Sequence, residues 1–302
     1  MTAADTTETN ALYVTPEGAF DRGLPAIPAH RFDAERERAL DPETPTGIIA
    51  LDLSAALNID WPATTPELLA HYLVIRPGER LSHRFQATGE MHFVLRGAGR
   101  STSAGVTLEW RTGDGFCFPG GAETVHQADE DTLIVSTTDE PHHRHFRTQP
   151  VPASESFLLP AVFRQDRIDA ALGLVHGREG PVKTAGKYVT FSTGAMDRTV
   201  RGTLMPTMLA SINTLEAGGV QKAHIHNAVA ITVSLQGEGV HSMIGETRID
   251  WLPWSVMLTP PLQQHSHHNE GTGMMRSFVV QDGPLFYHLR ATGFRWPGPT
   301  AG

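Results

Sequence analysis

The residues best suited to chemistry are histidines in the second half of the chain. They stand in Lys222-Ala-His224-Ile-His226-Asn227 and, roughly forty residues further on, in His265-Ser-His267-His268-Asn269. Residues two apart in a strand point to one face, so His224 and His226 reach a common ion. His265, which follows Pro260 by five residues on a later strand, closes half of an octahedron and leaves positions open for chemistry. Three neutral imidazoles leave a divalent ion its full charge, which favours a bidentate anion. Imidazole suits iron, zinc, copper and nickel alike, so ligand type alone does not choose the metal. Gln263, Gln264 and His267 add polar groups around the ligands. Asn269 is expected to orient their loop from behind. Arg276, on the following strand, is either a clamp for a substrate carboxylate, which a guanidinium grips bidentately, or a surface arginine. Trp251 is either barrel packing or a wall of the substrate site.

Such a site needs a scaffold of short strands, and the chain has that texture. Gly 29 and Pro 21 in 302 residues fit many strands joined by turns. Strands are expected over His71–Arg76, Met91–Leu95, Thr107–Trp110, Gly115–Phe118 and Thr132–Ser136. Helices are expected at Phe32–Leu40, at Thr65–His71 with Thr65 as N-cap and Pro66 in the first turn, and around Asp166–Val175. The predicted division is an N-terminal arm (1–70), a first barrel (71–140), a linker (141–204), a second barrel (205–290) and a tail (291–302). His142-His-Arg-His145 falls in the linker and reads as a solvated run.

The bulk numbers narrow the class. A net charge of −9 argues against a nucleic-acid binder, and no apolar run is long enough to span a bilayer. A single cysteine, Cys117 in an apolar run, forms no internal disulfide and suits a reducing compartment. Residues 1–10 carry neither a basic start nor an apolar stretch, so no signal peptide is read and a cytoplasmic location is expected.

The two halves repeat. A shift of 141 residues puts Gly78 on Gly219, His83 on His224, Trp110 on Trp251, Pro119 on Pro260 and His126 on His267. Five coincidences at one offset indicate a duplicated unit. The first copy has Phe85 where His226 stands and Thr124 where His265 stands, while His83, Glu90 and His126 remain. Its role is expected to be structural.

Gly219-x4-His224-x-His226-x10-Gly237, followed by Pro260-x4-His265-x3-Asn269, resembles the two motifs of the cupin superfamily, and the first copy carries them in degraded form. The resemblance implies an all-β bicupin, two double-stranded β-helix (jelly-roll) barrels. Thr259-Pro-Pro-Leu-Gln-Gln-His265-Ser-His267-His268-Asn269-Glu-Gly271 is most similar to the gentisate, salicylate and 1-hydroxy-2-naphthoate dioxygenases. That resemblance implies non-haem Fe(II) on His224, His226 and His265, with His267 touching substrate or oxygen. It implies an extradiol-type ring-cleaving dioxygenase in which a hydroxylated aromatic carboxylate chelates the metal and O2 is inserted into the ring. It also implies a homodimer or homotetramer. Two features depart from the group: the metal-bearing cupin comes second in the chain, and Thr232 stands where the group places its clamp arginine. A metal-dependent lyase, isomerase or hydrolase acting on another small acid, and a non-catalytic metal-binding bicupin, stand as alternatives.

Overall fold

The computed structural model describes residues 7–19, 22–178 and 186–298. The expected linker and tail therefore include stretches, 179–185 and 299–302, that lie outside the described residues.

Each half is built from a six-stranded sheet facing a four-stranded one. In the first half the six-stranded order is Ala161–Phe163, Gly115–Pro119, Gly89–Arg96, Thr132–Thr138, Leu69–Ile75, Gly47–Ala50. Its four-stranded partner runs Arg80–His83, Thr124–Ala128, Ala98–Ser103, Val106–Arg111. The second half repeats this layout. Its larger sheet runs His30–Arg31, Val256–Thr259, Ala230–Gln236, Met275–Gln281, Leu209–Leu215, Lys187–Phe191. Its smaller sheet runs Val220–His224, His265–Asn269, Val240–Ile244, Thr247–Asp250. All pairings are antiparallel. The jelly-roll expectation is borne out, as facing sheets rather than continuously closed barrels.

The halves meet back to back through their larger sheets. Phe93 stacks on Phe278 with ring centroids 5.0 Å apart, and Tyr72, Val135, Ile212 and Val233 join one buried cluster across the seam. Tyr72 Oη donates to Trp254 O at 2.6 Å. The N-terminal arm crosses over: His30–Arg31 lengthens the second half's larger sheet, while Gly47–Ala50 lengthens the first's.

Local expectations fared unevenly. The first helix spans Asp33–Leu40 and the linker helix Gln165–His176, as the sequence suggested. The helix expected at Thr65–His71 does not form. Thr65 Oγ1 instead accepts from Leu68 N at 2.9 Å, a tight turn that feeds the fully buried strand Leu69–Ile75. The His142–His145 run is not a solvated coil either. It lies in the helix Glu140–Phe146, with His142 Nδ1 2.6 Å from Glu67 and His143 Nε2 3.1 Å from Thr88 Oγ1.

The duplication is visible in the ladders, with one refinement. In the second half a bulge between Gln221 and His224 inserts a residue, where the first half pairs without interruption from Arg80 to His83. The left-handed turn glycine matching Gly78 (φ 79°) is therefore Gly218 (φ 69°), not Gly219. After the bulge, His83 and His224 stand at the shift of 141 and occupy the same place opposite Thr124 and His265. Bulges re-aim the side chains next to them, and this one sits directly before the first histidine of the triad.

Candidate metal centre

His224, His226 and His265 converge in the second half, with one ring nitrogen from each within 4.8 Å of the others. Ring centroids are 4.2 Å apart for His224 and His265, and 4.6 Å for His226 and His265. His224 ends its strand and His226 lies beyond it. The extended conformation that puts both rings on one side continues because Ile225 pairs, N–H to O in both directions at 2.9 Å, with Arg295 from the C-terminal segment.

Each imidazole is held by its own neighbourhood. Nδ1 of His224 donates to Lys222 O at 2.9 Å, Nδ1 of His226 to Ala228 O at 2.7 Å, and Nδ1 of His265 to Gln263 O at 2.9 Å. A carbonyl accepts and never donates, so the proton sits on Nδ1 in all three and the Nε2 lone pairs are free to bind. Burial lowers the pKa of all three, His226 to about 4 and His265 to about 2, which keeps the rings neutral. The residues present fit a divalent ion of the imidazole-binding kind.

The Nε2 side opens into a cavity of about 310 Å³ lined by the four-stranded sheet on one face and by the larger sheet on the other. Leu209, Ser211, Asn213, Ala230, Thr232, Thr259, Ser277 and Gln281 form the floor opposite the histidines. Among the described lining residues there is no Asp, Glu, Lys or Arg.

His267 also lines this cavity. Its Nδ1 lies 2.8 Å from Ser242 Oγ, which in turn accepts the indole N–H of Trp251 at 2.8 Å. With one lone pair taken by Trp251, the Ser242 proton goes to the imidazole nitrogen in preference to the weakly accepting Met257 sulfur 3.6 Å away. His267 therefore carries its proton on Nε2, and burial depresses its pKa to about 3.

The remaining predicted residues fall elsewhere. Trp251 is buried, donates its indole N–H to Ser242 Oγ and is not among the residues lining the cavity. Gln264 is exposed and outside the cavity. Arg276 also lies outside it. Met275, Ser277, Val279 and Gln281 of its strand face the cavity, and alternation turns Arg276 to the opposite side, where Nη1 meets Asp169 Oδ1 at 2.5 Å. Asn269 is buried, and its amide donates to Leu215 O and Gly273 O, tying the loop after the ligand strand to the turn before the first one. His268 stacks on His241 at 4.7 Å, away from the ligands.

Ser242, Asn227 and Phe294 were not singled out in the sequence, and all belong to the site. Ser242 had a signal, since Ser101 and Trp110 repeat it and Trp251 at the same shift. Phe294-Arg-Trp296 alternates as a strand does, which would place both rings on one face.

In the first half the corresponding interior positions are filled. Phe118 fills the place of Thr259, Leu73 that of Asn213, His92 that of Thr232 and Ile134 that of Ser277, and all four are fully buried. The retained polar groups bind one another. His83 Nε2 and His126 Nε2 share a hydrogen bond at 2.8 Å, and Glu90 takes His92 Nε2 at 3.0 Å and Thr124 Oγ1 at 3.1 Å.

Two facing sheets per half, duplicated and joined back to back, give the chain a bicupin fold. Salicylate 1,2-dioxygenase from Pseudaminobacter salicylatoxidans matches this structure with a TM-score of 0.77 at 15% identity, over 97% of this chain and 96% of that one. The same enzyme in its gentisate adducts matches with a TM-score of 0.76 at 16% identity, over 98% and 93%. Oxalate decarboxylase from Bacillus subtilis, also a bicupin, matches at 0.52 and 14% identity over 79% and 72%. At these identities the likeness is one of fold. In sequence, 5-aminosalicylate 1,2-dioxygenase from Comamonas sp is 32% identical over 79 residues, 26% of this chain and 21% of that protein's length. No protein-family model matches. Among the described residues no helix is long and apolar enough to cross a membrane.

Proposed function

We propose that the chain is a non-haem Fe(II)-dependent ring-cleaving dioxygenase acting on a hydroxylated aromatic carboxylate of the gentisate or salicylate kind. The observation that carries the reading is the charge balance of the cavity. Three neutral imidazoles face it, and no ionised side chain lines it among the described residues. An anionic substrate finds its counter-charge at the metal, and a phenolate with an ortho carboxylate chelates there. His224, His226 and His265 would hold the iron through Nε2, and it would supply the counter-charge for the substrate and the capacity to activate O2.

The chain's own groups do the rest. Carbonyls behind each Nδ1 fix the ligand rings. His267 presents an N–H to the cavity beside the ligands and donates to an oxygen of the substrate or of O2. The floor of hydroxyls and amides, Ser211, Asn213, Ser277 and Gln281, accepts a ring substituent without adding charge. The carbon–carbon bond between the hydroxyl-bearing and carboxyl-bearing carbons would break, O2 serving as the oxidant and leaving one oxygen on each of these carbons in the ring-opened product, the extradiol-type outcome. The fold shared with salicylate 1,2-dioxygenase supports the reading. Three imidazoles serve zinc, manganese or nickel as well as iron, which supports a second reading, a metal-dependent lyase, isomerase or hydrolase of a small acid.

The test is metal analysis of protein purified without oxygen, then O2 uptake with gentisate, salicylate and 1-hydroxy-2-naphthoate by wild type and His226→Ala. Stoichiometric iron with substrate-dependent uptake, both lost in the variant, supports the dioxygenase. Zinc or nickel with no uptake on any phenol rejects it in favour of the second reading.

A further inference from the structure

The C-terminal segment around Ala291–Trp296 lies along the metal loop and brings an aromatic ring to the ligands. Three contacts fasten it. Ile225 and Arg295 exchange backbone hydrogen bonds at 2.9 Å. Asn227 Nδ2 donates to Ala291 O at 2.6 Å, and Asn227 Oδ1 accepts from Gly293 N at 3.2 Å. Gly293 has no room for a side chain, since a Cβ would sit 2.7 Å from the Asn227 amide carbon. Both anchoring residues, Ile225 and Asn227, lie within or beside His224-Ile-His226. The segment is thereby held in register with two of the three imidazoles.

That register sets Phe294 on the cavity wall, with its ring centroid 5.5 Å from His224 and the planes 32° apart. Trp296, two residues on, packs edge-on against Phe294 at 5.3 Å and also reaches His224 at 6.5 Å. Despite these contacts Phe294 remains 47% exposed and Trp296 44%. A phenyl ring left half-bare beside a metal-binding imidazole is apolar surface that a planar ligand can cover. Offset or edge-on aromatic contact is the geometry such rings prefer.

We propose that Phe294 is a substrate-positioning residue, which takes the face of an aromatic ring chelated at His224, His226 and His265, and that the Asn227–Gly293 clamp and Trp296 hold it there. The proposal rests on the function above and sharpens it. In this site selectivity for aromatic over aliphatic chelators comes from the C-terminal segment, not from the metal.

The test separates ring contact from chelation. Salicylate and oxalate, a two-oxygen chelator without a ring, are titrated calorimetrically into metal-loaded protein without O2. Wild type, Phe294→Ala, Phe294→Tyr and Asn227→Ala are compared at matched metal content. In Phe294→Ala and Asn227→Ala, salicylate affinity falls about three- to tenfold while oxalate affinity stays within about twofold, and Phe294→Tyr restores salicylate binding. Unchanged salicylate affinity in Phe294→Ala, or equal losses for both ligands, overturns the role of Phe294 and leaves the proposed function standing. Wild type that binds oxalate but no aromatic acid overturns both.

Discussion

The Ser242 hydroxyl stands 2.8 Å from Nδ1 of His267, and Ser101 stands 2.6 Å from Nδ1 of His126 in the other half. Both serines accept an indole N–H, from Trp251 and Trp110. The relay is therefore a feature of the duplicated unit, present in both barrels. In the second half it points an N–H into the cavity. In the first the same N–H is consumed by His83.

Ser242→Ala removes the group that fixes the His267 tautomer and leaves the Trp251 N–H buried without a partner. Metal content is expected to stay at the wild-type level, because Ser242 touches none of the three ligands. Turnover falls about tenfold or more with little change in KM, the mark of a misdirected proton rather than lost binding. Stability falls by about 1–3 kcal/mol. Steady-state oxygen uptake and metal analysis on the same preparation check it. Loss of metal in the variant would contradict the assignment.

Asp282 governs part of the pH dependence. Burial holds its carboxyl up at about 7, although Val229 N–H donates to it at 2.8 Å. The folded chain thus keeps a proton that the unfolded chain releases near its ordinary 3.8. The group's contribution is fully present below that value and is lost as pH rises through about 7. Asp282→Asn keeps an acceptor for Val229 and carries no charge. Relative to wild type it is expected to be more stable at pH ~8, by on the order of 1–3 kcal/mol, with the difference shrinking toward pH ~4. The buried histidines, whose lowered pKa values act in the opposite sense, are common to both proteins and cancel in the comparison. Urea unfolding across this range is the measurement, and a variant less stable at the alkaline end would refute the reading.

Much of this was legible in the residues. Histidine spacing, turn glycines and the repeat shift pointed to two β units and to one complete triad. What stayed hidden depended on which way a strand faces. Arg276 attracted attention for its chemistry, yet it falls between Met275 and Ser277, and one residue of alternation carries it out of the cavity. Thr65-Pro66 has the composition of a helix start, but the apolar residues after it pair with Gly47–Ala50 and Thr132–Thr138, and tertiary pairing overrides the local signal. Phe294 was hidden because its partner, the His224–Asn227 loop, is distant in sequence.

The first barrel's filling is a packing statement that can be tested. Phe118 is fully buried beside Phe116, with ring centroids 6.1 Å apart. Phe118→Ala is expected to cost about 3–5 kcal/mol by opening a cavity that the surrounding sheet fills only in part. Metal content at the second barrel is expected to be unchanged, since Phe118 and the metal cavity lie on opposite sides of the shared seam. Denaturant unfolding with metal analysis reads both. Loss of metal together with stability would show that the barrels are coupled.

Arg276 supplies the sharpest contrast between the chemistry a residue type suggests and the place the fold gives it. Its guanidinium pairs with Asp169 of the helix Gln165–His176 on the side of the sheet that faces the first half, and its side chain is 17% exposed. If the strand faces as described, Arg276→Met removes no contact to a substrate. KM for salicylate or gentisate then stays within about twofold of wild type. Stability falls by about 0.5–1 kcal/mol, as expected for a largely solvent-screened pair, and amide exchange quickens in the helix that lost its anchor. A rise in KM of about tenfold or more with stability unchanged would mean that the guanidinium reaches the substrate after all. Such a result would return the carboxylate clamp to this strand and add a second counter-charge to the one proposed for the metal.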